Sequence, residues 1–133
     1  MADSWSKVSV RVASPSVGAM AIAQLFDVEA DQKVESGTRL SPRSPAVAAS
    51  SFCVWRCPLE RGHDLEEHIQ WVLEFLKSMK SSRTSDDMEV DVRLSYSSGS
   101  GQGSFALDPT QLASLARCGA TLCVDLYPPG DDD

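Results

Sequence analysis

Residues 88–128 read MEVDVRLSY (88–96), SSGSGQGS (97–104), FALDPTQLASLARCG (105–119) and ATLCVDLYP (120–128). In the first segment Met88, Val90, Val92, Leu94 and Tyr96 alternate with Glu89, Asp91, Arg93 and Ser95. This period-two pattern predicts a strand with one apolar and one polar face. The Gly-rich run predicts a turn, and Phe105–Leu107 the start of a short strand. Asp108-Pro109-Thr110-Gln111 is a helix start: Asp caps, Pro takes the first helical position and Gln the third. Gly119 suits the left-handed residue that ends such a helix. In Thr121–Tyr127, Leu122, Val124 and Leu126 face a core, with Cys123, Asp125 and Tyr127 opposite. Nearly every residue has a structural task, which decides the fold class and leaves little room for chemistry.

Working outward, Lys7–Val12 alternates in the same way, with Val8, Val10 and Val12 on one side and Lys7, Ser9 and Arg11 on the other. Ser14-Pro15 predicts a helix start, continued by Val17, Met20, Ala21, Gln24, Leu25 and Val28 at helical spacing. Residues 29–50 lack periodicity and predict a long loop with one short strand near Thr38–Leu40; loops of that length are commonly functional. Ser51–Cys57 is apolar on both faces and predicts an interior strand, ended by Pro58. Asp64 with Glu67 predicts a capping box for a helix over 63–79, with Leu65, Ile69, Val72, Leu73 and Leu76 in one stripe widened by Trp71 and Phe75. Ser81–Asp87 predicts a polar loop, and 128–133 a frayed acidic tail. The expected order is βαβαββαβ. The fold class is α+β: two layers, about five strands in a mostly antiparallel or mixed sheet, and two to three helices mainly on one face.

A chain of 133 residues that is 42% hydrophobic predicts a single domain, 1–133, with a real core. The formal net charge is -7, which disfavours nucleic acid and anionic membrane and favours a basic partner. No apolar run is long enough to span a bilayer, and no secretory pattern opens the chain; the expected location is cytoplasmic. Cys53 and Cys57, and Cys118 and Cys123, lack C-x-x-C spacing, so four reduced thiols are expected. A Cys53–Cys123 pair is geometrically permitted.

Several stretches resemble a bacterial family catalogued as domain of unknown function 4279. They are Val54-Trp55, the run from Asp64 to Leu73, Ser104 to Pro109 after the Gly-rich turn, Leu112 through Leu115 to Gly119, and Val124-Asp125-Leu126-Tyr127. The resemblance covers mainly Phe52–Tyr127. It implies a small bacterial cytosolic protein and carries over no catalytic residue.

Motifs for chemistry are sparse. The Gly99-Ser100-Gly101-Gln102-Gly103 run feeds a strand and lacks a lysine, unlike a phosphate loop. His63 and His68 are five apart, off the helical spacing of paired metal ligands, so neither metal nor cofactor is expected. Trp55 and Trp71 read as core. One constellation stands out: Arg11, Glu89, Asp91, Arg93, Asp125 and Tyr127 all project from the polar face of the expected sheet. They form either a set of cross-strand ion pairs or a docking surface anchored by Arg and Tyr. The functional expectation is a non-enzymatic protein-binding module, in its specific form an immunity-type protein that neutralises a basic toxin. The alternative is a small-molecule-binding or enzymatic domain with its pocket between the sheet and the 29–50 loop. The oligomeric state is not set by the sequence.

Overall fold

The computed structural model describes residues 4–62, 64–79, 88–99 and 105–128. The expected polar loop at 81–87, His63 at the expected start of the second helix, most of the Gly-rich turn and the acidic tail after Pro128 lie outside the described residues.

The elements follow as β1 (Trp5–Ser14), α1 (Ala19–Ala23), β2 (Gln32–Val34), β3 (Ser51–Arg56), α2 (Leu65–Lys77), β4 (Glu89–Ser97), α3 (Pro109–Arg117) and β5 (Ala120–Tyr127). They build one five-stranded sheet in the order β2-β3-β1-β4-β5. The fold is α+β with a mixed sheet: β1 runs antiparallel to β3 and β4, β2 antiparallel to β3, and β4 parallel to β5. Parallel neighbours need a crossover, and α3 supplies it.

Register makes the core. Val10 sits between Trp55 and Val92, Val12 between Cys53 and Val90, and Val8 pairs with Leu94. Paired residues point to the same face, so these apolar side chains form a single layer, all nearly inaccessible. Ile22 from α1, Ile69, Val72 and Leu76 from α2, and Leu115 from α3 join the same cluster. The helices therefore share one side of the sheet. At its centre Phe26 stacks on Phe75 at 4.3 Å, with Trp55 against both rings. The indole Nε1 of Trp55 donates to the Val28 carbonyl at 2.8 Å, so the one polar atom of this ring is satisfied in the core.

Local signals held at both ends of α3. The Asp108 carboxylate accepts from the Gln111 backbone amide at 2.8 Å, and Gln111 Oε1 accepts from the Asp108 backbone amide at 2.9 Å. Gly119 is left-handed, with φ 64°. Elsewhere the structure departs from the pattern. Ser14 ends β1 instead of capping a helix; its hydroxyl accepts from the amides of Ser16 and Val17. The helix that follows is only five residues long and starts after Gly18. Its cap comes from far along the chain, as Glu35 Oε1 accepts from the Ala19 amide at 2.8 Å. The helix stops at Ala23 and the chain turns, which buries Leu25 and Phe26 while Met20 and Val28 stay exposed. Asp64 occupies the N-cap of α2, yet its side chain makes no capping bond. Phe105–Leu107 forms no strand: β4 and β5 pair directly, so nothing can lie between them, and Phe105 packs edge-on against Tyr96 instead.

The segment 29–50 is more ordered than a loop. Its strand is β2 at 32–34, not 38–40, and an isolated bridge joins Arg39 to Val47. Bonds from Gly37 and Leu40 to the carbonyls of Ala48 and Ala46 continue it as a hairpin arm. Arg39 closes the tip by donating to the carbonyls of Ser44 and Pro42. At the arm's root the Ser51 hydroxyl donates to Glu35 and accepts from the Ser36 amide.

Candidate functional site

Because strand side chains alternate, the residues between the core valines point to the opposite face of the sheet. That outer face carries Lys7, Ser9 and Arg11 from β1, Phe52, Val54 and Arg56 from β3, the polar set of β4, and Cys123, Asp125 and Tyr127 from β5. No helix covers it among the described residues.

The six residues singled out from sequence share this face but not one spot. Arg11 pairs with Asp91, directly opposite in register, at 3.6 Å, and its guanidinium lies 4.4 Å above the Phe52 ring. Arg93 reaches Asp125 at 3.4 Å. Tyr127 packs against Trp5 with ring centroids 5.2 Å apart, and Arg61 covers the other part of that indole at 4.1 Å. Glu89 is exposed at the far end of β4. Tyr127 stands beside Ser97, so about eight strand steps, roughly 27 Å, separate Glu89 from Tyr127.

At the Tyr127 end the face deepens into a groove of about 390 Å³. Its charged lining is Lys7, Arg56, Arg61, Arg93 and Asp125. The hydroxyls of Ser9, Ser95 and Tyr127 also border it. Two backbone bonds tie the segment after β3 to β1 beside the groove: Cys57 N–H donates to the Val8 carbonyl and Ser6 N–H to the Arg61 carbonyl, both at 3.0 Å. Sequence reading placed Arg93, Asp125 and Tyr127 here but missed Arg56 and Arg61. Arg56 carried the signal of a polar residue in an otherwise apolar strand. Arg61 follows Pro58 in an irregular connection, where no periodicity shows direction.

A second concavity, about 350 Å³, lies where the start of β1 and the end of β4 meet the N-terminal turns of α2 and α3, and is lined by Trp5, Asp64, Glu66, Tyr96 and Phe105. A third, more open depression lies between α1 and the start of the 29–50 segment, with Glu29, Ala30 and Lys33 on its rim. Lys33 and Glu29 are paired there at 2.8 Å.

The four cysteines are unbridged. Cys53 faces the core from β3 and Cys123 the outer face from β5, with β1 and β4 between them, which removes the permitted pairing. Burial pushes the Cys53 thiol up to about 11 and also raises Cys57. His68 is fully buried, with Nε2 3.2 Å from the Glu60 carbonyl. Among the described residues no group of three or more His, Cys, Asp or Glu side chains gathers as a metal would require. No helix among them is long and apolar enough to cross a membrane.

The model of a family described as Domain of unknown function (DUF4279) matches residues 4–129. The chain belongs to this family. The match extends well beyond the resemblance at Phe52–Tyr127. It takes in β1, the hairpin arm and both sides of the groove, so the whole outer face lies within the family's bounds. No curated protein and no solved structure matches the chain.

Proposed function

We propose that the chain is a non-catalytic protein-binding module that docks a partner on the outer face of its sheet. One observation carries this reading: a broad sheet face that no helix among the described residues covers, bearing two cross-strand Arg–Asp pairs and an aromatic–guanidinium cluster at one end. Arg and Tyr are the residue types that anchor interfaces, and exposed ion pairs of this kind contribute only about 0–1 kcal/mol to folding. The raised thiols of Cys53 and Cys57 and the burial of His68 support a non-catalytic role, since nucleophilic catalysis needs lowered thiol pKa values and reachable bases. A net charge of -7 favours a basic partner drawn in at long range, and an immunity-type protein acting in the cytoplasm against a basic toxin is the specific form of this reading.

The test is affinity capture from the host lysate with three baits. These are the wild type, a triple variant Arg11→Ala/Arg93→Ala/Tyr127→Ala, and a control, Glu74→Ala, on the exposed side of α2. The expected result is one basic protein held by the wild type and the control and lost with the triple variant. A partner retained equally by all three baits would move the interface off this face, and no partner at all would overturn the reading.

A further inference from the structure

We propose that the groove at the Tyr127 end of the outer face is a binding site for a compact, multiply charged anion with phosphoryl or carboxylate groups. The inference goes beyond the protein-docking reading and needs no protein partner. The chain has 12 Lys and Arg residues against 19 Asp and Glu, so cations are the minority charge. Four of them, Lys7, Arg56, Arg61 and Arg93, nevertheless line this one groove, with Asp125 the one carboxylate among the described lining residues. Cations brought together in a concavity repel one another, and low-dielectric walls focus their field. An acidic chain that gathers cations in such a spot has made an anion site or a set of cations held by pairs within the chain.

The chemistry of the donors fits the first. Three of the four cations are guanidinium forks, which grip carboxylate and phosphate oxygens through two parallel bonds. The Arg61 guanidinium is set over Trp5 and its backbone is bonded to β1, while Arg56 and Arg93 rise from strands. Arg61 is therefore placed before any ligand arrives, which limits its share of the ordering cost of binding. The hydroxyls of Ser9, Ser95 and Tyr127 add neutral donors at the border. Arg93 pairs with Asp125 at 3.4 Å, with the arginine side chain 64% exposed, and a loose pair of that kind is readily exchanged for a better acceptor. At about 390 Å³ the groove falls in the usual range for small-molecule sites, roomy for one phosphate and suited to a diphosphate or a tricarboxylate.

The experiment uses the full chain, with sodium pyrophosphate and sodium citrate as probes and sodium chloride at matched ionic strength as the control. Calorimetry and thermal unfolding are followed for the wild type, Arg56→Gln and Arg93→Gln. The expected result is one-to-one binding of at least one probe, a rise in Tm above the chloride control, and binding about tenfold weaker in each variant. Pyrophosphate alone would assign the site to phosphoryl ligands and citrate alone to carboxylates. On the wild type, amide shifts confined to the neighbourhood of Lys7, Ser95 and Tyr127 are expected, and this readout stands even if a variant folds poorly. No response beyond chloride, equal affinity in all three proteins, or shifts that map elsewhere would each overturn the proposal.

Discussion

Trp55 is 1% exposed and touches both Phe26 and Phe75 while its indole nitrogen satisfies Val28. Trp55→Ala removes the ring from a packed site and orphans that carbonyl, so a loss of about 3–5 kcal/mol is expected, read as a lower urea midpoint at unchanged slope. Cys53, on the neighbouring inward position of β3, gives a pH dependence. Its thiol donates to the Ala19 carbonyl, and burial lifts its folded pKa from 9.0 to about 11. Below pH 9 the thiol is neutral in both states and contributes no slope. Between about pH 9 and 11 the unfolded chain has released the proton and the folded chain has not, so stability falls as pH rises through this window. Denaturation in Cys53→Ala should show a shallower decline there than the wild type; identical slopes would mean that this thiol is not the titrating group.

The hairpin arm and α1 are one unit through Glu35, whose two oxygens meet the Ala19 amide and the Ser51 hydroxyl. Glu35→Ala should cost about 1–2 kcal/mol, the usual range for a lost cap, and should raise amide exchange at Ala19 and across the arm together. Exchange that rises only in the arm would show the cap to be dispensable. This cap also explains what was legible in the sequence. β4, α2, α3 and β5 could be placed because their signals are local: alternation in 88–96, the apolar stripe of 65–76, Asp108 with Gln111, Gly119; on β5, however, Val124 and Leu126, expected to face the core, are exposed on an edge strand. α1 could not, because its cap lies 16 residues away and its apolar residues Leu25 and Phe26 are buried by a turn and not by a helix. β2 was missed because Gln32-Lys33-Val34 is mostly polar and pairs only along an edge. The outer face was legible from alternation alone, whereas the Arg11–Asp91 and Arg93–Asp125 pairs depend on strand order and register, which alternation does not give. The groove was not, since the convergence of Arg56 and Arg61 on Arg93 depends on how the chain bends after β3.

For the whole molecule, charge and topology set the behaviour. Carboxylates dominate the chain, yet the groove end of the outer face is cationic, so a docking partner meets an attractive field at a distance and a mixed pattern at contact. The partner sought by affinity capture should associate more slowly as salt rises, with a smaller change in its dissociation rate; an association rate indifferent to salt would show that the net charge plays no part in recognition. The position of β1 has a separate consequence during synthesis on the ribosome. It is the central strand, and it precedes both of its neighbours in the chain. Its second neighbour, β4, is finished about 80 residues later, a delay of several seconds at roughly 5–20 residues per second. Until β3 is complete the nascent chain presents Val8, Val10 and Val12 on a strand with an open edge on each side, and one edge stays open until β4 follows. This is the segment on which a holding chaperone would act, and substitutions that make β1 more apolar should lower the yield of folded protein before they change its stability.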